Sequence, residues 1–140
     1  RLSGEEFVTA VLAEAHPGGT LTLLNYGHPA PLILRANGKV EFAEPKEPAP
    51  PLGMAMLAVE GPRPYTVRFE PGDQILLYTD GVVEARDRKG HFYPLEERVS
   101  LLKDDDPEAA LEALRRDLVA HVDGPLHDDA AMLLLRSRDA

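Results

Sequence analysis

Apolar residues recur at alternate positions over most of the first half of the chain and at helical spacing later, so strands are expected first and helices after them. Phe7-Val8-Thr9-Ala10-Val11-Leu12 suits a short helix or a strand, because its alanine opposes its β-branched residues. His16-Pro17-Gly18-Gly19 breaks that run, and Thr20 to Tyr26 is strand-like. A hairpin explains both halves with one turn, so two strands are the preferred reading. A third strand is expected from Pro31 to Arg35, with Asn37-Gly38 as a tight turn into a returning strand, Lys39 to Ala43.

Residues 45–51 hold Pro45, Pro48, Pro50 and Pro51 and read as an exposed connection ending at Leu52-Gly53. Tyr65 to Phe69 alternates, and Glu70-Pro71-Gly72-Asp73 turns it into an apolar run, Gln74 to Thr79. Val82 to Arg86 suits either a half-buried strand or one turn of helix. Leu95, Val99 and Leu102 share one helical face. Asp106 and Pro107 fit the N-cap and first position of a second helix, whose buried stripe is Leu111, Leu114, Leu118 and Val122. Glu112, Arg115 and Arg116 face away. Met132 to Leu135 has no polar alternation, so a central strand covered on both faces is expected there. Antiparallel strands, then two helices, then a closing strand make the fold class α+β.

The composition narrows the function. With 140 residues, 44% of them hydrophobic, residues 1–140 are expected to form a single domain with a real core. A net charge of −9 and a pI near 4.9 argue against nucleic acid or an anionic membrane as partner. The absence of cysteine excludes a disulfide frame, a thiolate zinc site and a cysteine nucleophile. No apolar stretch approaches a membrane span and no signal-peptide layout opens the chain, so a soluble, cytoplasmic protein is expected. The first residues, Arg1-Leu2-Ser3, lack a methionine, and a longer parent protein is expected.

Two acidic turns carry the candidate chemistry. The run Gln74 to Thr79 enters Asp80-Gly81, and His127-Asp128-Asp129 opens the closing strand. Each alone is the sequence of an ordinary solvated turn. If their strands are neighbours, Asp80 and Asp128 converge at one rim, and carboxylates gathered there suit a hard divalent cation. Asn25-Tyr26-Gly27-His28-Pro29 is the next feature. His28 is expected to make a structural hydrogen bond in its turn and not to ligate metal. No Gly-rich phosphate loop, Gly-x-Ser-x-Gly elbow or His-Glu-x-x-His is present, which removes several enzyme classes.

Taken in order, five motifs form one pattern: Asn25-Tyr26-Gly27-His28-Pro29-Ala30-Pro31, Pro51-Leu52-Gly53, Glu70-Pro71-Gly72-Asp73, Leu77 to Ala85, and Asp128-Asp129. The pattern resembles the metal-dependent PPM-type (type 2C) serine/threonine phosphatases of bacteria, in the branch of the sporulation stage II E phosphatase. The resemblance implies an antiparallel β-sandwich with flanking helices. It also implies a centre of two Mn²⁺ or Mg²⁺ ions ~4 Å apart, whose bridging water attacks a phosphoserine or phosphothreonine ester. By motif, Asp80 and Asp128 match metal ligands and catalytic residues, with Gly81 in the same metal-binding turn. Glu84 stands near an additional, weaker metal position, and Asp129 orients its neighbour. The substrate implied is a phosphorylated regulatory protein such as an anti-sigma-factor antagonist, and upstream sensor domains fit the branch. One motif is missing: the family's Asp-x-x-Gly-x-Gly turn, which carries the bridging carboxylate, has no counterpart before residue 20. The chain is therefore expected to be the C-terminal part of an N-terminally truncated phosphatase domain.

Overall fold

The computed structural model describes residues 9–45, 63–124 and 129–138. Its contacts divide the chain into two units, Arg1–Ala30 with Ala43–Glu70, and Pro31–Phe42 with Pro71–Ala140. Phe7, Val8, His127, Asp128, Pro51-Leu52-Gly53 and all but the first residue of the proline-rich stretch lie outside the described residues.

The first unit is built on the expected hairpin. β1 (Ala10–His16) pairs antiparallel with β2 (Thr20–Tyr26), in register from Ala10 opposite Tyr26 to His16 opposite Thr20. The first strand runs four residues beyond Leu12, so the break falls at Pro17-Gly18-Gly19. β5 (Tyr65–Arg68) lies on the other side of β2, with Leu23 opposite Tyr65. Leu21, Leu23 and Asn25 alternate with less buried residues along β2 and are themselves buried, the pattern of a strand with one covered face.

The second unit holds a four-stranded antiparallel sheet in the order β4-β3-β6-β7. β3 (Leu32–Leu34) and β4 (Val40–Phe42) are joined by the Asn37-Gly38 turn, and β3 also pairs with β6 (Gln74–Tyr78). β6 in turn pairs with β7 (Met132–Arg136), from Gln74 opposite Arg136 to Tyr78 opposite Met132. Among the described residues the unit also holds α1 (Asp80–Val83), α2 (Leu95–Arg98), the 3₁₀ turn Val99–Leu101, and α3 (Pro107–His121). One core joins Leu32, Leu76 and Tyr78 of the sheet to Val82, Leu95, Val99, Leu102, Ala110, Leu114 and Leu118 of the helices. Asp106 caps α3, its side chain accepting from the Glu108 amide at 3.3 Å, and Pro107 follows at the first helical position. Of the expected stripe, Leu114 and Leu118 are buried, while Leu111 and Val122 pack half-buried against the same core. Of the stretch Val82 to Arg86, Val82 and Val83 lie in one turn of helix, while Arg86 forms an isolated antiparallel bridge with Phe92.

The expected turn at Glu70–Asp73 is present and links β5 to β6, which belong to different sheets. The Phe69 amide donates to the Gly19 carbonyl at 2.7 Å, whereas Gly72 and Asp73 exchange backbone hydrogen bonds with Ser137. Gly72 has φ +90°, and a Cβ on it would lie 2.8 Å from the Cβ of Ala36, so both conformation and space require glycine there. One expectation needs correcting, that of a central strand at β7. Among the described residues it is an edge strand, with Leu133 56% and Leu135 39% exposed. Only Met132 and Leu134 of its apolar run pack on the helical core. Apolar residues on both faces hide which face is covered, because leucine is tolerated in water.

Candidate metal-binding rim

The candidate site forms where β6 ends and β7 begins. β6 buries Ile75, Leu76 and Tyr78, and its pairing with β7 continues one residue further: the Thr79 amide donates to the Ala131 carbonyl at 3.1 Å. Strand then gives way to helix. Thr79 keeps an extended backbone (φ −97°, ψ 164°), while Asp80 opens α1 and the Val82 amide donates back to the Thr79 carbonyl at 3.0 Å. The Glu84 amide donates to the Asp80 carbonyl at 2.9 Å, so Asp80 and Glu84 stand one helical turn apart. Both are exposed, whereas Gly81 and Val82 between them are buried.

Gly81 is where the two acidic turns meet. A Cβ on it would collide with the carbonyl oxygen of Asp129 and lie 2.7 Å from the carbonyl carbon and 3.2 Å from the Ala130 nitrogen. The missing side chain thus lets the backbone of one acidic turn lie against the other. Thr79 adds to the contact: its hydroxyl donates to the Asp129 carbonyl at 3.3 Å and accepts from the Ala131 amide at 2.9 Å. The structure therefore brings Asp80 and Asp129 to one rim of the sheet. Asp128, the residue matched as the second ligand, lies outside the described residues, next in sequence to this contact.

All the donors at the rim are oxygens, which suits a hard divalent ion rather than zinc or copper. Among the described residues, however, no three acidic or histidine side chains converge closely enough to hold a metal ion. Asp80, Glu84 and Asp129 fit such an ion in kind but do not complete a centre.

His28 lies elsewhere, in the first unit. Its amide donates to Asn25 Oδ1 at 2.8 Å, and Asn25 Nδ2 donates to its carbonyl at 3.0 Å, closing the turn through the buried asparagine. The imidazole Nδ1 is 3.1 Å from the hydroxyl of Thr9. The turn is thus held by the His28 backbone, and the ring reaches the segment leading into β1.

Sequence reasoning missed Thr79 and the Arg35–Asp73 pair. Thr79 stands at the N-cap of α1 but makes no side-chain cap bond, so the usual signal of a threonine ahead of a helix points to the wrong partner. In the sequence Asp73 reads only as part of a turn. It is 3% exposed and accepts from Arg35 Nη1 and from the Ala36 amide, each at 2.9 Å.

Comparison with known proteins places this geometry. A curated relative, Protein IcfG of Synechocystis sp., is 26% identical over 121 residues, which cover 82% of this chain and 18% of that protein. The solved RsbU and RsbW domains of Rv1364c from Mycobacterium tuberculosis superpose with a TM-score of 0.73 at 24% identity, covering 93% of this chain and 36% of that one. The phosphatase domain of SpoIIE from Bacillus subtilis, presoaked with Mn, gives 0.72 at 15% identity, covering 94% and 57%. At such identities these structures establish the fold, that of a PP2C phosphatase domain, and the chain spans less than two thirds of each relative. The family model for stage II sporulation protein E (SpoIIE) matches residues 1–138, and the chain belongs to that family.

Proposed function

We propose that this chain is the C-terminal part of a metal-dependent serine/threonine phosphatase domain that hydrolyses a phosphoserine or phosphothreonine on a bacterial regulatory protein. An anti-sigma-factor antagonist is the kind of substrate proposed. The observation that carries the reading is the contact at the rim: in a chain of the SpoIIE family, the Asp80-Gly81 turn lies directly against the backbone of Asp129. Asp80 and Asp128 are assigned as ligands of Mn²⁺ or Mg²⁺, with Gly81 keeping their turns close and Glu84 near a further, weaker position. Two such ions supply an activated water and neutralise charge on the phosphoryl oxygens. What this chain contributes is hard oxygen donors fixed at the ends of paired strands.

A second reading is favoured by one observation, the absence of an Asp-x-x-Gly-x-Gly turn. It makes the chain a non-catalytic interaction module with the phosphatase fold and an incomplete metal site. The two separate in a longer protein that joins this chain to a segment carrying such a turn. Mn²⁺-dependent hydrolysis of p-nitrophenyl phosphate is expected there, and Asp80→Ala or Asp128→Ala should abolish it. A longer protein with no such activity, or one indifferent to both substitutions, would leave the interaction module as the function.

A further inference from the structure

We infer that the hairpin of residues 85–93 is a docking surface for an acidic segment of a partner protein, with Arg86 and Phe92 at its centre. The inference goes beyond the phosphatase reading, uses no residue assigned to the metal site, and holds equally for a non-catalytic module. The hairpin follows α1 directly. The Tyr93 amide donates to the Ala85 carbonyl at 2.8 Å and the Asp87 amide to the His91 carbonyl at 2.9 Å, with Arg86 bridged antiparallel to Phe92 between them. Successive residues of a strand face opposite ways. Ala85 and Tyr93 belong to the helical core, so Arg86 and Phe92 project away from it, and the Arg86 guanidinium lies 5.1 Å from the centre of the Phe92 ring. Phe92 is 54% exposed, and Arg86, Arg88, Lys89 and His91 are exposed with it.

Rigidity and charge distinguish this hairpin from a merely solvated turn. Asp87 Oδ1 accepts from the Lys89 amide at 2.9 Å and from the His91 amide at 2.8 Å, and the Gly90 amide donates to the Asp87 carbonyl at 3.0 Å. His121 of α3 holds its Nε2 2.9 Å from the His91 carbonyl, which ties the tip to the longest helix. A partner therefore meets a preformed surface, without the cost of ordering it. Residues 86–89 hold three cations and one carboxylate in a chain whose net charge is −9. Arg88 pairs with Asp123 at 2.8 Å, but the side chains are 83% and 56% exposed, so that pair is weak. Arg86 and Lys89 form no ion pair among the described residues. The contact with the ring leaves the Arg86 guanidinium its charge and its fork of donors, which suits a carboxylate. Arginine and phenylalanine are both enriched at protein interfaces. The acidic remainder of the chain repels a long polyanion such as nucleic acid or an anionic membrane. A short segment with carboxylates beside an apolar residue, reaching the hairpin alone, fits both the cations and the ring.

The test is fluorescence anisotropy of the full chain with a fluorescein-labelled peptide, Glu-Asp-Glu-Leu-Glu-Asp-Glu, and with a thymidine oligonucleotide of the same charge. The peptide should bind, less tightly as NaCl is raised, and the oligonucleotide should not. Arg86→Ala and Phe92→Ala should each weaken the peptide about tenfold. Arg86→Lys, which keeps the charge and loses the planar fork, should fall between Arg86→Ala and the parent. Lys89→Glu, at the exposed tip, should weaken binding as much as Arg86→Ala and carries the test if Phe92→Ala fails to fold. The control is Arg115→Ala on α3, where Arg115 pairs with Glu112. It changes the net charge as Arg86→Ala does, yet should stay within about twofold of the parent. Equal losses from Arg86→Ala and Arg115→Ala would mean that overall charge alone attracts the peptide, and would overturn the inference. A parent chain that does not bind the peptide, or that binds the oligonucleotide as tightly, would also overturn it. So would sedimentation showing a dimer that Arg86→Ala dissociates, since the surface would then belong to a second copy of the chain.

Discussion

The Arg35–Asp73 pair is a nearly buried ion pair. Its side chains are only 10% and 5% exposed, and Arg35 Nη1 sits 2.9 Å from Asp73 Oδ2, with Arg35 Nη2 2.8 Å from Glu41 Oε2. Burial alone would lower the pKa of the guanidinium, but the hydrogen bonds it donates to Asp73 and Glu41 outweigh it and hold Arg35 above its ordinary value. Removing one partner of such a pair leaves the other charge in poor solvent, which costs far more than the pair gains by forming. Asp73→Asn keeps the shape and the acceptor for the Ala36 amide but deletes the charge. Because Arg35 keeps Glu41 as its partner, the loss should be that of one charged hydrogen bond, about 2 kcal/mol, read as a lower urea midpoint with an unchanged slope. A loss below about 1 kcal/mol would mean the pair behaves as a solvent-exposed one. The pair was hidden from sequence reading because its members stand 38 residues apart and each looks like an ordinary turn or strand-end residue.

At the scale of elements, local signals were legible and partner choice was not. The β1–β2 hairpin, the Asn37-Gly38 turn and α3 with its Asp106 cap all follow from spacing and turn chemistry within a few residues. Asp106→Ala should cost about 1 kcal/mol, seen as a lower melting temperature, since one helix-end amide loses its acceptor. The separation of β5 from β6 and the edge position of β7 depend on which strands meet, which no local period encodes. The two acidic turns were likewise legible as chemistry, but the Thr79 clamp between them depends on a contact 50 and 52 residues away in sequence.

The junction of α2 and α3 was legible only as apolar stripes, yet a polar lock sits on it. The Tyr93 hydroxyl donates to Asp117 Oδ2 at 2.7 Å, and Arg98 Nη1 donates to the same carboxylate at 2.9 Å. Burial first, and the adjacent Asp117 second, raise the Tyr93 pKa above its ordinary value of 10.0. A phenol held above its unfolded pKa binds its proton more tightly in the folded state. Its contribution is therefore complete below about pH 10 and is lost as pH rises further. Thermal melts should show stability falling above that pH, and falling less steeply in Tyr93→Phe. At neutral pH the same substitution should cost about 1 kcal/mol, because Arg98 still pairs with Asp117. Parallel alkaline slopes for the two proteins would show that Tyr93 does not carry the effect.

For the molecule as a whole, the question is how much of a phosphatase site these residues hold. The rim offers Asp80, Glu84 and Asp129, with Asp128 next in sequence, and lacks the Asp-x-x-Gly-x-Gly turn that the family pattern places at the bridging position. Two divalent cations brought to one rim repel each other unless an anion is shared between them. A single ion held by few carboxylates is bound weakly, since Mg²⁺-like ions release their waters reluctantly. The 140-residue chain by itself should therefore bind at most one Mn²⁺ per molecule by calorimetric titration and show no Mn²⁺-dependent hydrolysis of p-nitrophenyl phosphate. The same assay on a longer protein that joins this chain to a segment carrying that turn supplies the contrast, with both the second ion and turnover expected to appear together. Robust metal-dependent turnover from the 140 residues alone would mean that a carboxylate within them completes the site. Glu84, one helical turn from Asp80 and exposed at the same rim, would then be the first to replace with glutamine.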